Sequence, residues 1–232
     1  QSAQMGNEQL LQERIRLGRP VDIMPFSRHI GYPFQQINHH TAYFKAFFDY
    51  QNIGHFAFQS TFQQDNRREN RIRRLNHSDI PTVSLHLNSW QNALVWNKGY
   101  GQWKSEAGAQ MLVTDNHNER GTGVVPIIPN YTEVAFGLYA LQKLTANRWG
   151  LEAGVRFDGQ QTKADGYDWT GRRYGGKRDF TNFTYSIGGH YHINKQLKVT
   201  SHFGVAWRAP HVYELYSNGN ELSSGIFVRG DS

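Results

Sequence analysis

From residue 36 onward, apolar and polar residues alternate with a period of two through one segment after another. Successive side chains of a β-strand point to opposite faces, so this pattern builds strands with one apolar and one polar face, and it does not suit a helix. The cleanest case is residues 183–193. Phe183, Tyr185, Ile187, Tyr191 and Ile193 share one face, while Thr184, Ser186, Gly188, His190 and His192 share the other. After the polar turn Asn194-Lys195-Gln196, Leu197, Val199, Phe203, Val205 and Trp207 alternate with Lys198, Thr200, His202 and Gly204, which completes a hairpin. Strands are expected over residues 36–50, 54–64, 81–96, 101–113, 131–144, 148–161, 182–193 and 197–208.

Composition agrees with a sheet protein. Only 19% of the 232 residues are charged, while 38% are hydrophobic and 14% aromatic, with 23 glycines, which excludes a charge-dominated disordered chain and a Leu/Ala/Lys-rich bundle. The absence of cysteine removes disulfides, Cys-ligated zinc and thiol catalysis, and fits an envelope or extracellular setting. No stretch approaches the roughly 18 consecutive apolar residues of a membrane-spanning helix. No charged and then apolar leader opens the chain at Gln1, so it reads as a mature protein or an internal piece.

The connections alternate in length. Short turns fall near residues 51–53, 97–100, 145–147 and 194–196, and long polar loops near 65–80, 114–130, 159–181 and after 208. A meander with tight turns at one end and long loops at the other is the pattern of an outer-membrane barrel, whose apolar face meets lipid and whose polar face meets the lumen. Trp103, Tyr131, Trp149 and Trp207 near strand ends suit the interfacial belts. Residues 7–17 form one helix-like stretch, with Asn7 placed to cap it and Gly18 and Pro20 to end it, expected to pack over the barrel mouth within a long loop. The expected fold is an all-β, antiparallel transmembrane β-barrel fragment of about eight to nine strands, with long extracellular loops and that one short helix. Two alternatives stay open: a small closed barrel with an adhesive or structural role, and a secreted β-sheet carbohydrate-binding module.

The runs YPFQQINHHTAYFKAFFDYQNIGHFAFQSTFQQDNRRENRIRR, IPNYTEVAFGLYA, WGLEAGVRFD and FGVAWRAPHVYELYSNG resemble the barrel of TonB-dependent outer-membrane receptors, closest to the ferric-siderophore and ferric-citrate type. The segment Arg208 to Gly219 is the most specific part. Asn220-Glu221 and Phe227-Val228-Arg229-Gly230 stand where the family often carries a His-Gly pair and then an aromatic, a Glu and a Gly, which leaves the subfamily open. The resemblance implies that residues 1–232 are part of a single barrel domain, with the plug domain and the remaining strands absent. It implies active transport in the bacterial outer membrane, with a ferric chelate (siderophore, citrate or haem) as cargo rather than cofactor, and TonB, ExbB and ExbD acting through the missing plug.

No catalytic motif is present: there is no Gly-x-Ser-x-Gly, His-Glu-x-x-His or phosphate-binding loop, and Asp165 and Asp168 read as solvated loop carboxylates. His190, His192 and His202 are expected to point into the lumen, where a wet polar wall accommodates imidazoles, so no metal site is assigned. His39 and His40 are adjacent and fall on opposite faces. The basic residues sit in two stretches: Arg67, Arg68, Arg71, Arg73 and Arg74 in one expected extracellular loop, and Arg172, Arg173, Lys177 and Arg178 in another. Guanidinium groups suit carboxylate- or catecholate-bearing chelates, and also lipopolysaccharide phosphates, by bidentate charge-assisted hydrogen bonds. The net charge of +6 has no nucleic-acid-binding motif beside it, so no nucleic-acid partner is expected.

Overall fold

The computed structural model describes residues 8–18, 26, 28, 30–72, 77–220 and 227–230. Helix α1 (Glu8–Leu17) precedes β1 (Phe34–Tyr50), β2 (Gly54–Asn70), β3 (Val83–Tyr100), β4 (Trp103–Asn118), β5 (Asn130–Thr145), β6 (Trp149–Tyr167), β7 (Arg173–His192) and β8 (Lys198–Gly204). A short helix α2 (Val212–Tyr216) and a ribbon of β9 (Asn218–Asn220) and β10 (Phe227–Arg229) follow. The eight long strands lie side by side in chain order, each antiparallel to its neighbours. Among the described residues β1 pairs only with β2, and β8 only with β7, so these eight strands do not close into a small barrel.

Register shows why the alternation is so regular. Phe44, Ala46 and Phe48 of β1 share a face with Phe56, Phe58 and Phe62 of β2 and with Trp90, Leu94 and Trp96 of β3. The same face continues through Met111 and Val113, Phe136 and Leu138, Val155 and Phe157, Tyr185 and Ile187, to Phe203 of β8. These apolar side chains are exposed, Leu138 at 52%, Ile187 at 57% and Phe203 at 60%. On β5 the band runs from Val134 to Leu144, about 33 Å along the strand and, at a tilt of about 40°, about 25 Å in height, the thickness of the apolar belt of a transmembrane barrel. Tyr50, Tyr100, Trp103, Trp149 and Tyr191 edge its turn-bearing end as an interfacial girdle. Within the band the Trp90 indole donates to Ser60 Oγ at 2.9 Å, so neither polar atom enters lipid unpaired. The inner face is mostly polar, carrying Glu106, Gln110, Glu133, Arg156 and Asp158, with Tyr43, Phe47, Leu112 and Leu141 among its apolar exceptions.

Total accessible area is 17308 Å². A compact monomer of 26.7 kDa would expose about 10,700 Å². Such an excess, with the large apolar side chains turned outward, contradicts a soluble carbohydrate-binding module.

Four expectations need correction. The strands run further than the alternation predicts: β2 reaches Asn70, β4 reaches Asn118, β6 reaches Tyr167 and β7 begins at Arg173, so much of the expected loops at 65–80, 114–130 and 159–181 is strand. Above the band the outer face leaves lipid and meets water, the polar contrast between faces disappears from the sequence, and backbone pairing continues without it. The expected turn at 97–100 is instead Gly101-Gln102, with Gly101 at φ +57°. β8 stops at Gly204, with a last hydrogen bond from Val205 N–H to Tyr185 O at 3.0 Å, and Trp207 lies beyond it, where the chain leaves the sheet for α2 on the inner face. Tyr131 is no interfacial residue; it faces inward and is 8% exposed. Helix α1 forms as expected and ends at Gly18, φ +60°, while Asn7 and Pro20 fall outside the described residues.

Candidate ligand mouth

Since the short turns mark one end of the sheet, the other end, where β6 rises from Gln161, the partner of Val134 at the band's edge, to Tyr167, stands about 15 Å above the apolar band. The buried apolar cluster of the described residues is here, on the inner face. Tyr131 and Ala164 pack with Val212, Leu215 and Tyr216 of α2, and Leu87, Ile128, Tyr174 and Phe180 surround them. A capping box makes α2 possible despite its five residues: His211 Nδ1 accepts from Tyr213 N–H at 3.2 Å, and the Glu214 carboxylate accepts from His211 N–H at 2.8 Å. Arg208 then grips the same carboxylate with two hydrogen bonds of 2.7 and 2.6 Å. These bonds, led by the Arg208 pair, lower the Glu214 pKa to about 2. Asn218 N–H to Ile127 O at 3.0 Å ties the end of the segment to the loop before β5.

The predicted basic residues divide between faces. Arg67 points inward from β2 and donates from Nε to Glu69 Oε1 at 2.8 Å. Arg68 points outward and donates to Asp79 O at 3.3 Å. Arg71 follows the end of β2, and Arg73 and Arg74 lie outside the described residues. Arg172 closes the turn between β6 and β7, and Arg178 points inward from β7. Arg173 and Lys177 point outward: Arg173 holds Asp165 at 2.7 and 2.9 Å, and Lys177 lies 3.4 Å from Asp179. The Arg173 hydrogen bonds are also the main reason the Asp165 pKa is lowered. β2 and β7 are five strand spacings apart, about 24 Å along the sheet, so the two basic stretches do not converge on one point.

The turn at Asp168 is rigid. Asp168 Oδ1 accepts from Thr170 N–H at 2.9 Å, Thr170 Oγ1 at 2.6 Å and Arg172 N–H at 2.9 Å, which lowers its pKa with the Thr170 hydroxyl foremost, and Gly171 supplies φ +80°. On one side of it, residues 117–126 and 165–167 enclose a cleft of about 520 Å³. Near that cleft Glu119 accepts from Ser84 Oγ at 2.5 Å and faces His86 Nε2 at 2.8 Å, and its pKa is lowered chiefly by the Ser84 bond. The carboxylate lies between hydroxyl and imidazole, so the histidine cannot take the serine proton as a triad requires.

Lower on the inner wall, the histidines cover glycines. The His202 ring lies over Gly188, its register partner, where a Cβ would come 2.1 Å from Nδ1, and His190 covers Gly150 in the same way. The His190 and His192 rings are 5.6 Å apart. Among the described residues no three His, Asp or Glu converge as metal ligands.

An apolar belt outside, a polar wall inside and strands standing well above the membrane define a segment of an outer-membrane barrel wall. Residues 12–231 match the family described as TonB dependent receptor-like, beta-barrel, and the chain belongs to that family. Its receptors are outer-membrane transporters and not enzymes. Two solved structures share the fold. The copper transporter OprC aligns over 79% of this chain and 31% of its own, with TM-score 0.63 and 12% identity. The ferric-catecholate import receptor Fiu from E. coli K12 aligns over 76% of this chain and 36% of its own, with TM-score 0.56 and 14% identity. The chain thus spans about a third of the length of these neighbours. No curated protein matches the sequence.

Proposed function

We propose that this chain belongs to a receptor that takes up a ferric chelate (siderophore, citrate or haem) across the outer membrane, and that it supplies part of the barrel wall and of the extracellular mouth. Energy would come from TonB, ExbB and ExbD acting on a plug domain carried elsewhere in the receptor. The observation that carries the ligand reading is the concentration of arginine at the top of the inner wall, far above the apolar band, where an anionic chelate first meets the barrel. Arg67 and Arg172 take the ligand-facing role, each in its own basic stretch; Arg71, Arg73 and Arg74, which follow Arg67 in the sequence, are assigned to the same ligand-facing group. Arg68, Arg173 and Lys177, on the outer face, contact lipopolysaccharide phosphates. The name of Fiu describes a ferric chelate as cargo and that of OprC describes copper, so the neighbours support metal-linked uptake without choosing between these cargoes.

Growth on iron-limited medium with single chelates as iron source tests the reading in the native gene product. Arg67→Glu with Arg172→Glu should reduce TonB-dependent ⁵⁵Fe uptake at limiting chelate, at unchanged receptor level. Full uptake by that variant would remove these arginines from the ligand path. Iron-independent, copper-specific uptake would overturn the ferric reading itself.

A further inference from the structure

Between the top of β7, the end of α2 and β10 lies a second cleft, of about 420 Å³. Arg172, Arg173, Arg178 and Arg229 all contribute to its lining, with Asp168 as the acidic residue among them. The four positions differ in what they have left to offer. Arg173 spends its guanidinium on Asp165, and the Asp168 oxygen that accepts three hydrogen bonds is committed to its own turn. The guanidinium groups of Arg172, Arg178 and Arg229 have no hydrogen-bond acceptor among the described residues. Tyr174 also lines the cleft; its hydroxyl is buried without a partner, and burial raises its pKa, so it remains a neutral hydrogen-bond donor.

Such an arrangement is built rather than incidental. Arg229 arrives because β10 passes tightly under α2: Gly230 N–H donates to Ser217 O at 2.6 Å, and a Cβ on Gly230 would lie 2.5 Å from Leu215 O. The cleft wall at Gly175, φ +123°, is equally tight, since a Cβ there would sit 2.3 Å from Ala164 O. The chain therefore places glycine at two close approaches that bring like charges to one cavity, an unfavourable gathering that a bound anion relieves.

We propose that this cleft is the binding site for a compact anionic ligand bearing two or more carboxylates, held by Arg172, Arg178 and Arg229. The proposal rests on the reading of the chain as an importer's mouth and narrows its cargo. Guanidinium forks match carboxylates in bidentate geometry. A free metal cation is repelled by the same three charges. The volume is at the lower end of the range for small-molecule sites, roughly 300–1,000 Å³, which suits a hydroxycarboxylate chelate better than a bulky tris-catecholate. Tyr174 and Tyr216 keep their rings in the core cluster, which leaves no free aromatic face for stacking catechols.

The test is fluorescence titration of the native gene product, purified in detergent, with ferric citrate, a ferric tris-catecholate, inorganic phosphate and Cu²⁺ alone; exposed Trp169 on the adjoining turn is a natural reporter. Ferric citrate is expected to saturate, and Arg178→Gln and Arg229→Gln to weaken it about tenfold each, while Arg148→Gln, at the opposite, short-turn end of the sheet, leaves it unchanged. Gly230→Ala, which displaces β10 without removing a charge, should weaken it as Arg229→Gln does. An unchanged Kd in the Arg178→Gln/Arg229→Gln double variant, with heat-modifiable migration showing a folded barrel, overturns the site. So does saturable binding of phosphate or Cu²⁺ alone in preference to ferric citrate. If the site fails while TonB-dependent chelate uptake persists, the importer reading stands; if no chelate is taken up at all, that reading fails first.

Discussion

Docking of α2 should be locally breakable, because it rests on the buried apolar cluster of the described residues, in a sheet whose large apolar side chains otherwise mostly face lipid. Val212 is 0% exposed and sits at its centre. Val212→Ala removes two methyl-sized groups, about 1.6 kcal/mol of burial, and leaves a cavity that the flanking strands, held by their ladders, cannot close, so the expected loss is about 2–3 kcal/mol. The opening it promotes is confined to residues 208–220 and to β10, which rests on them, since no pair of the eight-stranded sheet depends on α2. The readout is hydrogen exchange at the amides of Glu214, Leu215 and Ser217, which donate to His211 O at 2.9 Å, His211 O at 3.1 Å and Tyr213 O at 3.2 Å. They should exchange roughly 30- to 150-fold faster, while strand amides within the band are unaffected. Tyr213→Ala, on the exposed side of the same helix, is the control. Unchanged exchange at the three amides, or acceleration spread evenly into β5 and β6, would refute the idea of a separately docked segment.

Three other outcomes follow from the same geometry. Because the folded Glu214 pKa is depressed from 4.5 to about 2, its contribution is fully present above about pH 4.5 and is lost as pH falls toward 2; α2 exchange rates should rise only in that acidic window, and Glu214→Gln should abolish the dependence. Gly108→Ala would place a Cβ 2.3 Å from the Tyr139 ring and dislodge the hydroxyl that donates to Glu106 at 2.9 Å, costing about 1–3 kcal/mol in barrel unfolding, whereas Gly31→Ala, with open space around it, should be silent. Leu138→Arg, on the outer face within the band, should cost about 2–4 kcal/mol in bilayer unfolding, while Leu141→Arg, facing the lumen three residues on, should be tolerated.

The same contrasts explain what could be read from the sequence. In residues 183–193 one face meets lipid and the other water, so each residue declares its side, and the register of β7 with β6 and β8 agrees with it. From Gln161 to Asp165 and from Arg173 to Asp179 the outer face is wet while Ala164 and Tyr174 on the inner face are covered by residues distant in sequence, and Lys163 directly opposite Lys177 on the outer face carries no sign of strand pairing. Helix α2 falls where a long loop after 208 is expected, although Glu214 three residues after His211 and the i, i+3, i+4 set of Val212, Leu215 and Tyr216 carry its signal. What that face packs against was not legible, because Tyr131 and Ala164 meet it only through the register of β5 with β6. Arg229 and Tyr174 are more distant still: they share a cleft only because Gly230 lets β10 pass under α2.

A scaffold of this kind separates stability from recognition. The wall is held by antiparallel ladders and by lipid on its outer face, and glycines under large register partners, Gly108 beneath Tyr139 and Gly159 beneath Phe136, keep neighbouring strands close without any interior core. Side chains above the band and on the inner wall carry little of that load. The buried apolar cluster then serves to position rather than to stabilise: it fixes α2, α2 fixes β10, and β10 delivers Arg229. Substitutions in Arg172, Arg178 or Arg229 should therefore change ligand choice while leaving barrel unfolding unchanged, and substitutions in the glycine–aromatic pairs should do the reverse.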